Sequence, residues 1–310
     1  MKGWKQMITI APKGVWPVML TPFTDTGKID YKGLEALIEW YEAGGVSGLF
    51  AVCQSSEMFY LSLQERIELS RFIKKTAHVP VISSGHISYS IDDQIDELKR
   101  VADTGADAVI LITNRLAEQG SRPELWTENL NLILNALPQE LPLGFYECPY
   151  PYKRLISLEE IRYAANTGRF YFLKDTCCDA ALIQQRLETI RGTNLNLFNA
   201  NSATLLDSLR HGAAGFSGVM ANFHPKLYAW LCENWEKEPE KAEILQAFLT
   251  MASQIEKQLY PVNAKEHLKN QGLPVTIYTR TKNHHEMSPL FSSEVRQLEQ
   301  LTKWIEKQLF

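Results

Sequence analysis

A lysine closes one of the short apolar runs of this 310-residue chain. Lys174 follows the sequence FYFL at residues 170–173, so its amine is expected inside or at the mouth of an apolar core. Burial favours the neutral form of an amine and lowers its pKa. A neutral lysine can attack a ketone and form a Schiff base, whereas a protonated surface lysine is a poor nucleophile. The competing interpretation is a structural lysine that reaches solvent or pairs with Asp175.

A tyrosine ends another apolar run in the same way. Tyr146 follows LGF at residues 143–145, one predicted strand before Lys174. A phenol at that level could deliver or accept a proton at a carbonyl carbon attacked by the lysine. The competing interpretation is a core tyrosine whose hydroxyl is satisfied within the protein.

The sequence CQSSE at residues 53–57 follows the second apolar run. Hydroxyl and backbone N–H groups in a loop that leads toward a helix suit the binding of a carboxylate. The competing interpretation is an ordinary turn that caps the next helix.

These residues must be positioned by short elements of continuous apolar character, which is typical of parallel strands buried on both faces. Amphipathic stretches with helical spacing lie between them. Two of these stretches begin with the spacing of a capping box, Ser62 with Glu65 and Ser157 with Glu160. The sequence predicts strands over 14–20, 46–52, 79–84, 107–113, 141–147, 169–175, 195–200 and 213–219, and helices over 31–45, 62–77, 90–106, 123–137, 157–168, 179–192 and 202–212.

The alternation predicts an α/β fold, a (β/α)8 TIM barrel over residues 1–235. A C-terminal helical extension is expected over residues 236–310, with helices over 245–260 and 293–309. In this barrel the site is built at the carboxyl ends of the strands, where Lys174 and Tyr146 lie. A doubly wound open sheet is the rival architecture, but no Gly-x-Gly-x-x-Gly turn follows the first strand.

Composition excludes several classes of function. The formal net charge is −4, which does not favour nucleic acid or an anionic membrane as a partner. No stretch approaches the ~20 apolar residues of a membrane helix, and Pro12 and Lys13 interrupt the N-terminal apolar patch where a signal peptide would continue. The five cysteines do not form a disulfide framework, and the histidines lack metal-ligand spacing. We therefore expect a cytoplasmic protein without a metal.

In order and spacing, the motifs of this chain resemble the dihydrodipicolinate synthase / N-acetylneuraminate lyase family of class I pyruvate-dependent aldolases. The resemblance runs nearly end to end. The motifs that carry it are GVWPVMLTPFTDTGKID at 14–30, FYECP at 145–149, FLKDTCCD at 172–179, GAAGFSGVMANFHP at 212–225 and YPVNAKEHLKNQGL at 260–273.

The resemblance implies a role for each matching residue. Lys174 would be the Schiff-base lysine and Tyr146 the tyrosine that shuttles protons. Ser55 would be the second hydroxyl residue of the family's loop, which hydrogen bonds the tyrosine and the keto-acid carboxylate. Gln54 and Val219 would contact substrate.

The loop also departs from the family pattern. Cys53 and Ser56 stand where the family has glycines, and Gln54 replaces the first hydroxyl residue. Ser56, expected among the substrate-binding residues, adds bulk where the carboxylate would approach the backbone. The synthases of the family have an arginine that binds the carboxylate of the second substrate. In this chain Pro151 stands near that position, and Lys153 and Arg154 are the nearest residues that could replace the arginine.

The resemblance thus implies a class I lyase or aldolase that joins pyruvate, or a related 2-keto acid, to an aldehyde, or cleaves the product. The lysine imine would replace any metal or organic cofactor. A homo-oligomer, a tetramer or a dimer, is expected. Two alternatives stay open: a carbon–oxygen lyase that dehydrates a 2-keto sugar acid through the same imine, and a sensor that binds keto acids without turnover.

Overall fold

The computed structural model describes residues 10–122 and 124–310, so the first nine residues of the predicted barrel and Pro123, the predicted start of its fourth helix, lie outside them. Eight parallel strands lie where the apolar runs predicted them, in the order β1-β8-β7-β6-β5-β4-β3-β2. A parallel bridge between Val18 and Phe50 joins the two ends of the sheet. The strands are β1 Gly14–Val15, β2 Leu49–Phe50, β3 Val81–Ser83, β4 Ala108–Ile112, β5 Leu143–Tyr146, β6 Phe170–Asp175, β7 Asn196–Asn199 and β8 Gly215–Phe216.

Helices follow the strands and continue beyond the barrel. Both predicted capping boxes are present, since the Ser62 and Ser157 side chains accept N–H groups from Glu65 and Glu160, whose carboxylates accept in return. The helices are α1 Tyr31–Ala43, α2 Leu63–Thr76, α3 Ile91–Ala102, α4 Thr113–Leu116, α5 Glu124–Ala136, α6 Leu158–Asn166, α7 Ala180–Ile190, α8 Leu205–Arg210, α9 Pro225–Asn234, α10 Pro239–Ala252, α11 Val262–Asn270 and α12 Pro289–Leu309.

The strands are shorter than the apolar runs that predicted them. In the first run only Gly14 and Val15 form the ladder, although Met19 and Leu20 are also fully buried. An apolar run records burial, whereas a strand ends where its neighbour stops pairing. The predicted range therefore identifies the buried residues correctly but overestimates the length of the strand.

Aromatic side chains fill the barrel interior. The Trp16 ring centroid lies 5.3 Å from that of Phe172 and 5.9 Å from that of Phe198, with edge-to-face geometry. Gly48 faces the indole, and a Cβ there would lie 2.3 Å from Trp16 ring atoms. The interior is thus a packed core rather than a pore.

The C-terminal region packs against the barrel and reaches its open end. Helix α9 contacts β1, α10 contacts α8 and α9, and α11 contacts α12. The helix predicted over 245–260 is interrupted, because α10 ends at Ala252 and a 3₁₀ turn follows over Ser253–Lys257. Across the described residues, no helix combines the length and apolar character needed to cross a membrane.

Candidate active site

Lys174 and Tyr146 lie side by side at the carboxyl ends of neighbouring strands. They are register partners in the β5–β6 ladder, and Lys174 Nζ lies 4.1 Å from the centroid of the Tyr146 ring. Both side chains open onto one cavity of about 330 Å³ and are almost fully buried, at 5% and 2% exposure. The structure therefore brings the two predicted residues together.

Burial lowers the pKa of the Lys174 amine below its ordinary value of 10.5. Nearby groups that can carry negative charge, among them Cys53 and Glu256, oppose this shift without reversing it. Lowering the pKa increases the share of neutral amine at a given pH, and the neutral amine is the nucleophile. Asp175, the competing partner in the sequence, binds Arg186 instead.

Glu147 and Asp175, which follow Tyr146 and Lys174 in the chain, share one buried cation. Arg186 of α7 pairs with Glu147, at 2.6 Å, and with Asp175, and none of the three side chains is exposed. Arg186 Nη2 also donates to the carbonyl of Ile156 at 2.8 Å. Because Glu147 follows Tyr146 and Asp175 follows Lys174, this cluster holds the ends of β5 and β6 at one level.

The predicted loop is only partly turned toward the cavity. Gln54 and Ser55 line it, as does Val219, which follows β8. Ser56 does not, because its hydroxyl points into the protein, 2.7 Å from the Met19 carbonyl oxygen and 2.6 Å from that of Ala51. The structure thus places Ser56 in the support of the turn rather than at the cavity wall.

Glu57, the last residue of this loop, links it to the C-terminal region. Its carboxylate pairs with Lys265 Nζ at 3.0 Å and accepts the backbone N–H groups of Arg280 at 2.6 Å and Thr281 at 2.9 Å. Thr281 and the adjacent Lys282 line the cavity. The C-terminal region therefore contributes to the wall of the cavity.

Two further residues of the C-terminal region reach the same cavity. Glu256, in the 3₁₀ turn after α10, and Tyr260, just before α11, both line it. Partial burial raises the pKa of Glu256, and the positive charge of Lys174 opposes the rise. The cavity thus combines amines, phenols and a carboxylate.

Of the other polar residues near the strand ends, His86 and Arg154 have structural roles. His86 is fully buried, and its Nε2 accepts the Ile112 N–H at 2.6 Å. Arg154 pairs with Glu160 outside the cavity, whereas Lys153 lines it and donates to the Thr176 carbonyl at 2.8 Å. In residues 10–122 and 124–310, no group of three or more metal-ligating side chains could hold an ion.

Sequence reasoning missed Arg186, Glu256 and Tyr260. One signal was available: Glu147 and Asp175 are acidic residues at the ends of buried runs, so a cation had to neutralise them. Arg186 and Glu256 lie in amphipathic segments, where charged residues usually indicate the solvent face. Their positions in the fold could not be read from those segments.

Comparison with known proteins gives relatives along most of the chain. The 4-hydroxy-tetrahydrodipicolinate synthase of Methanothrix thermoacetophila is 24% identical over 270 residues, which cover 85% of this chain and 84% of the relative. The enzyme of the same name from Natronomonas pharaonis is 28% identical over 214 residues, covering 69% and 71%.

Solved structures confirm the predicted (β/α)8 barrel. YagE of Escherichia coli K12, a prophage protein of the dihydrodipicolinic acid synthase family solved with pyruvate, aligns with a TM-score of 0.82 at 22% identity, covering 95% of this chain and 98% of YagE. CdNal of Clostridium difficile, solved with mannosamine, aligns with a TM-score of 0.81 at 19% identity, covering 96% and 99%. The sequence profile of the Dihydrodipicolinate synthetase family matches residues 11–307. This chain belongs to that family, as its motifs predicted.

Proposed function

We propose that this protein is a class I lyase or aldolase that forms a Schiff base between Lys174 and pyruvate or a related 2-keto acid. The observation that carries the proposal is a desolvated amine 4.1 Å from a phenol ring in one small cavity. Membership of the family supports pyruvate-dependent aldolase or lyase chemistry. The partner substrate is an aldehyde, or an aldol that releases one.

The chemistry follows from the groups present. The neutral Lys174 amine attacks the ketone carbon, and loss of water gives an imine. The imine withdraws electrons, so the adjacent carbon can be deprotonated and add to an aldehyde, or can leave from an aldol. Tyr146 moves the proton, while the Ser55 hydroxyl and neighbouring loop N–H groups hold the keto-acid carboxylate. Gln54 and Val219 provide further contacts to the substrate. The reaction proposed here uses no cofactor.

A dehydratase that acts on a 2-keto sugar acid through the same imine is the second candidate. Glu256 favours it, because a carboxyl group whose pKa is raised can protonate a departing hydroxyl. The dehydratase would release water from a carbon–oxygen bond, whereas the aldolase would release or consume an aldehyde.

Reductive trapping tests the proposal. Incubation with pyruvate and borohydride should add one reduced pyruvate at Lys174, located by peptide mass. Lys174→Met should abolish the adduct, and Lys153→Met, which removes another lysine of the same cavity, should retain it. Labelling of Lys153 instead of Lys174, or absence of any adduct with pyruvate and with other 2-keto acids, would overturn the proposal.

Assays with a panel of aldehydes and sugar acids then separate the activities. Aldol formation or cleavage supports the aldolase, and water loss without an aldehyde product supports the dehydratase. An adduct with neither activity would identify a keto-acid sensor.

We also propose a cytoplasmic homo-oligomer, a tetramer or a dimer. Its mass in solution, measured by light scattering, tests the oligomer, and cell fractionation tests the location.

A further inference from the structure

We propose that Tyr260 is a second catalytic acid of this cavity, which gives its phenolic proton to the hydroxyl group that leaves when Lys174 forms its imine. This inference rests on the Schiff-base chemistry proposed above and assigns a residue to one of its steps. Tyr260 comes from the C-terminal region and lines the cavity together with Lys174 and Tyr146.

A buried amide determines which way the Tyr260 hydroxyl points. The carbonyl oxygen of Val18 can only accept a hydrogen bond, and it lies 3.0 Å from Asn222 Nδ2. The same nitrogen lies 3.0 Å from the Tyr260 oxygen, so its second hydrogen is donated to the phenol. Asn222 Oδ1 in turn accepts the hydroxyl hydrogen of Tyr41. The neighbours of this amide therefore fix its nitrogen as the donor and its oxygen as the acceptor.

The Tyr260 oxygen is thus an acceptor toward the protein interior, and its own hydrogen is left for the cavity side. Ser55 lines the same cavity as Tyr260. A ligand bound beside Ser55 would therefore accept the phenolic hydrogen of Tyr260. The whole series, from Tyr41 through Asn222 to Tyr260, donates toward the cavity.

This arrangement suits an acid. Before the step, the phenol holds its proton at neutral pH, because burial raises the pKa of Tyr260 well above its ordinary value of 10.0. Donation of that proton therefore depends on a group that stabilises the phenolate. Asn222 Nδ2 is that group, since it donates a hydrogen bond to the Tyr260 oxygen at 3.0 Å.

The proposed step balances. The amine nitrogen of the carbinolamine uses its lone pair to form the carbon–nitrogen double bond, and the carbon–oxygen bond breaks with its electrons on oxygen. That oxygen takes the Tyr260 proton and leaves as water, and solvent later returns a proton to the phenolate. Tyr146, whose ring lies against Lys174, is left for proton transfer at carbon.

Timed trapping tests the inference. The protein is mixed with pyruvate, samples are quenched with borohydride at increasing times, and the Lys174 adduct is measured by mass. Loss of a general acid costs ~10²–10⁴-fold, so Tyr260→Phe should slow imine formation by at least ~100-fold and reach the same final yield. The control is Tyr152→Phe, which removes a hydroxyl that donates to the Asn114 carbonyl at 3.1 Å and does not line the cavity. It should react at the wild-type rate.

Asn222→Asp provides a second variant, because it replaces the N–H donor by an oxygen while keeping the size of the side chain. Asn222 is a positioning residue in this scheme, and its variant should also slow imine formation without lowering the final yield. Added imidazolium buffer should accelerate Tyr260→Phe and leave the wild type unchanged, since an external acid replaces the missing proton donor.

The outcomes separate the two proposals. If the wild type is not trapped by any keto acid, the Schiff-base function fails and Tyr260 has no reaction to serve. If the wild type is trapped and Tyr260→Phe reacts at the same rate, the role of Tyr260 is overturned and the Schiff-base function stands. If Tyr260→Phe is slow but buffer does not accelerate it, the residue is structural and the inference is also overturned.

Discussion

Lys174 lies directly opposite Tyr146 in the parallel register of β5 and β6. Register partners on adjacent strands are held by the backbone ladder, so the amine and the phenol ring are positioned without a hydrogen bond between them. The ends of both strands are also fixed by Arg186, which binds the carboxylates of Glu147 and Asp175. The strength of that anchoring and the low hydration of the amine can both be tested.

The rate of imine formation should depend on pH through the Lys174 amine. Because burial lowers its pKa, the neutral nucleophile is present below the range in which a free lysine loses its proton. The rate should therefore rise with pH and level off below 10.5, the ordinary value. Initial rates of borohydride trapping across pH measure this, with Nα-acetyl-lysine as the reference amine. A rate that keeps rising to the reference midpoint contradicts the prediction.

The same amine should make stability depend on pH. Between its lowered folded pKa and 10.5, the unfolded chain binds a proton at Lys174 that the folded chain does not. The free energy of unfolding should therefore rise as pH increases through this window. Lys174→Met should flatten the curve, measured by urea unfolding at several pH values. A curve of unchanged slope in that variant would show that the amine is not desolvated.

Glu256→Gln should move the trapping profile to lower pH. The Glu256 carboxylate favours the protonated form of Lys174, so its removal lowers the pKa of the amine further. The control is Glu243→Gln, which removes an exposed carboxylate paired with Arg210 outside the cavity. The control profile should match that of the wild type. A shift of the Glu256→Gln profile to higher pH would show that this carboxylate does not act on the amine.

Arg186→Met should strongly destabilise the fold. The substitution leaves two buried carboxylates without their cation, and breaking a buried ion pair in this way costs ~3–5 kcal/mol. Urea unfolding at neutral pH measures the loss. Arg100→Met removes a solvent-exposed pair with Asp96 and should leave the midpoint nearly unchanged. Equal effects of the two substitutions would rule out the anchoring role of Arg186.

Glu57 and Lys265 should be energetically coupled. Glu57→Gln leaves the Lys265 ammonium buried without a carboxylate, at a cost of ~3–5 kcal/mol. Adding Lys265→Met should recover part of this loss, because the uncompensated charge is then gone. Weaker pyruvate binding is also expected in Glu57→Gln, since the Thr281 backbone loses its charged acceptor. A double-mutant cycle in urea measures the coupling, and strictly additive losses would contradict it.

The sequence by itself determined the eight strand positions and the family, and it predicted the two residues that the structure places side by side in the candidate site. Burial of parallel strands is written locally as continuous apolar runs, and Lys174 and Tyr146 stand out because each ends such a run. Strand length was not determined in this way, since β1 pairs over only Gly14 and Val15 while apolar residues beyond them are also buried.

Only the tertiary structure decided the rest of the site. The inward turn of the Ser56 hydroxyl depends on the carbonyls of Met19 and Ala51, which the loop meets on folding. Glu57 meets Lys265 across 208 residues, and Tyr260 meets Asn222 from a region predicted as a C-terminal helical extension. The physical reason is that hydrophobic periodicity records which residues are buried, whereas the partner of a buried polar group is set by the closure of the barrel and the packing of its C-terminal region.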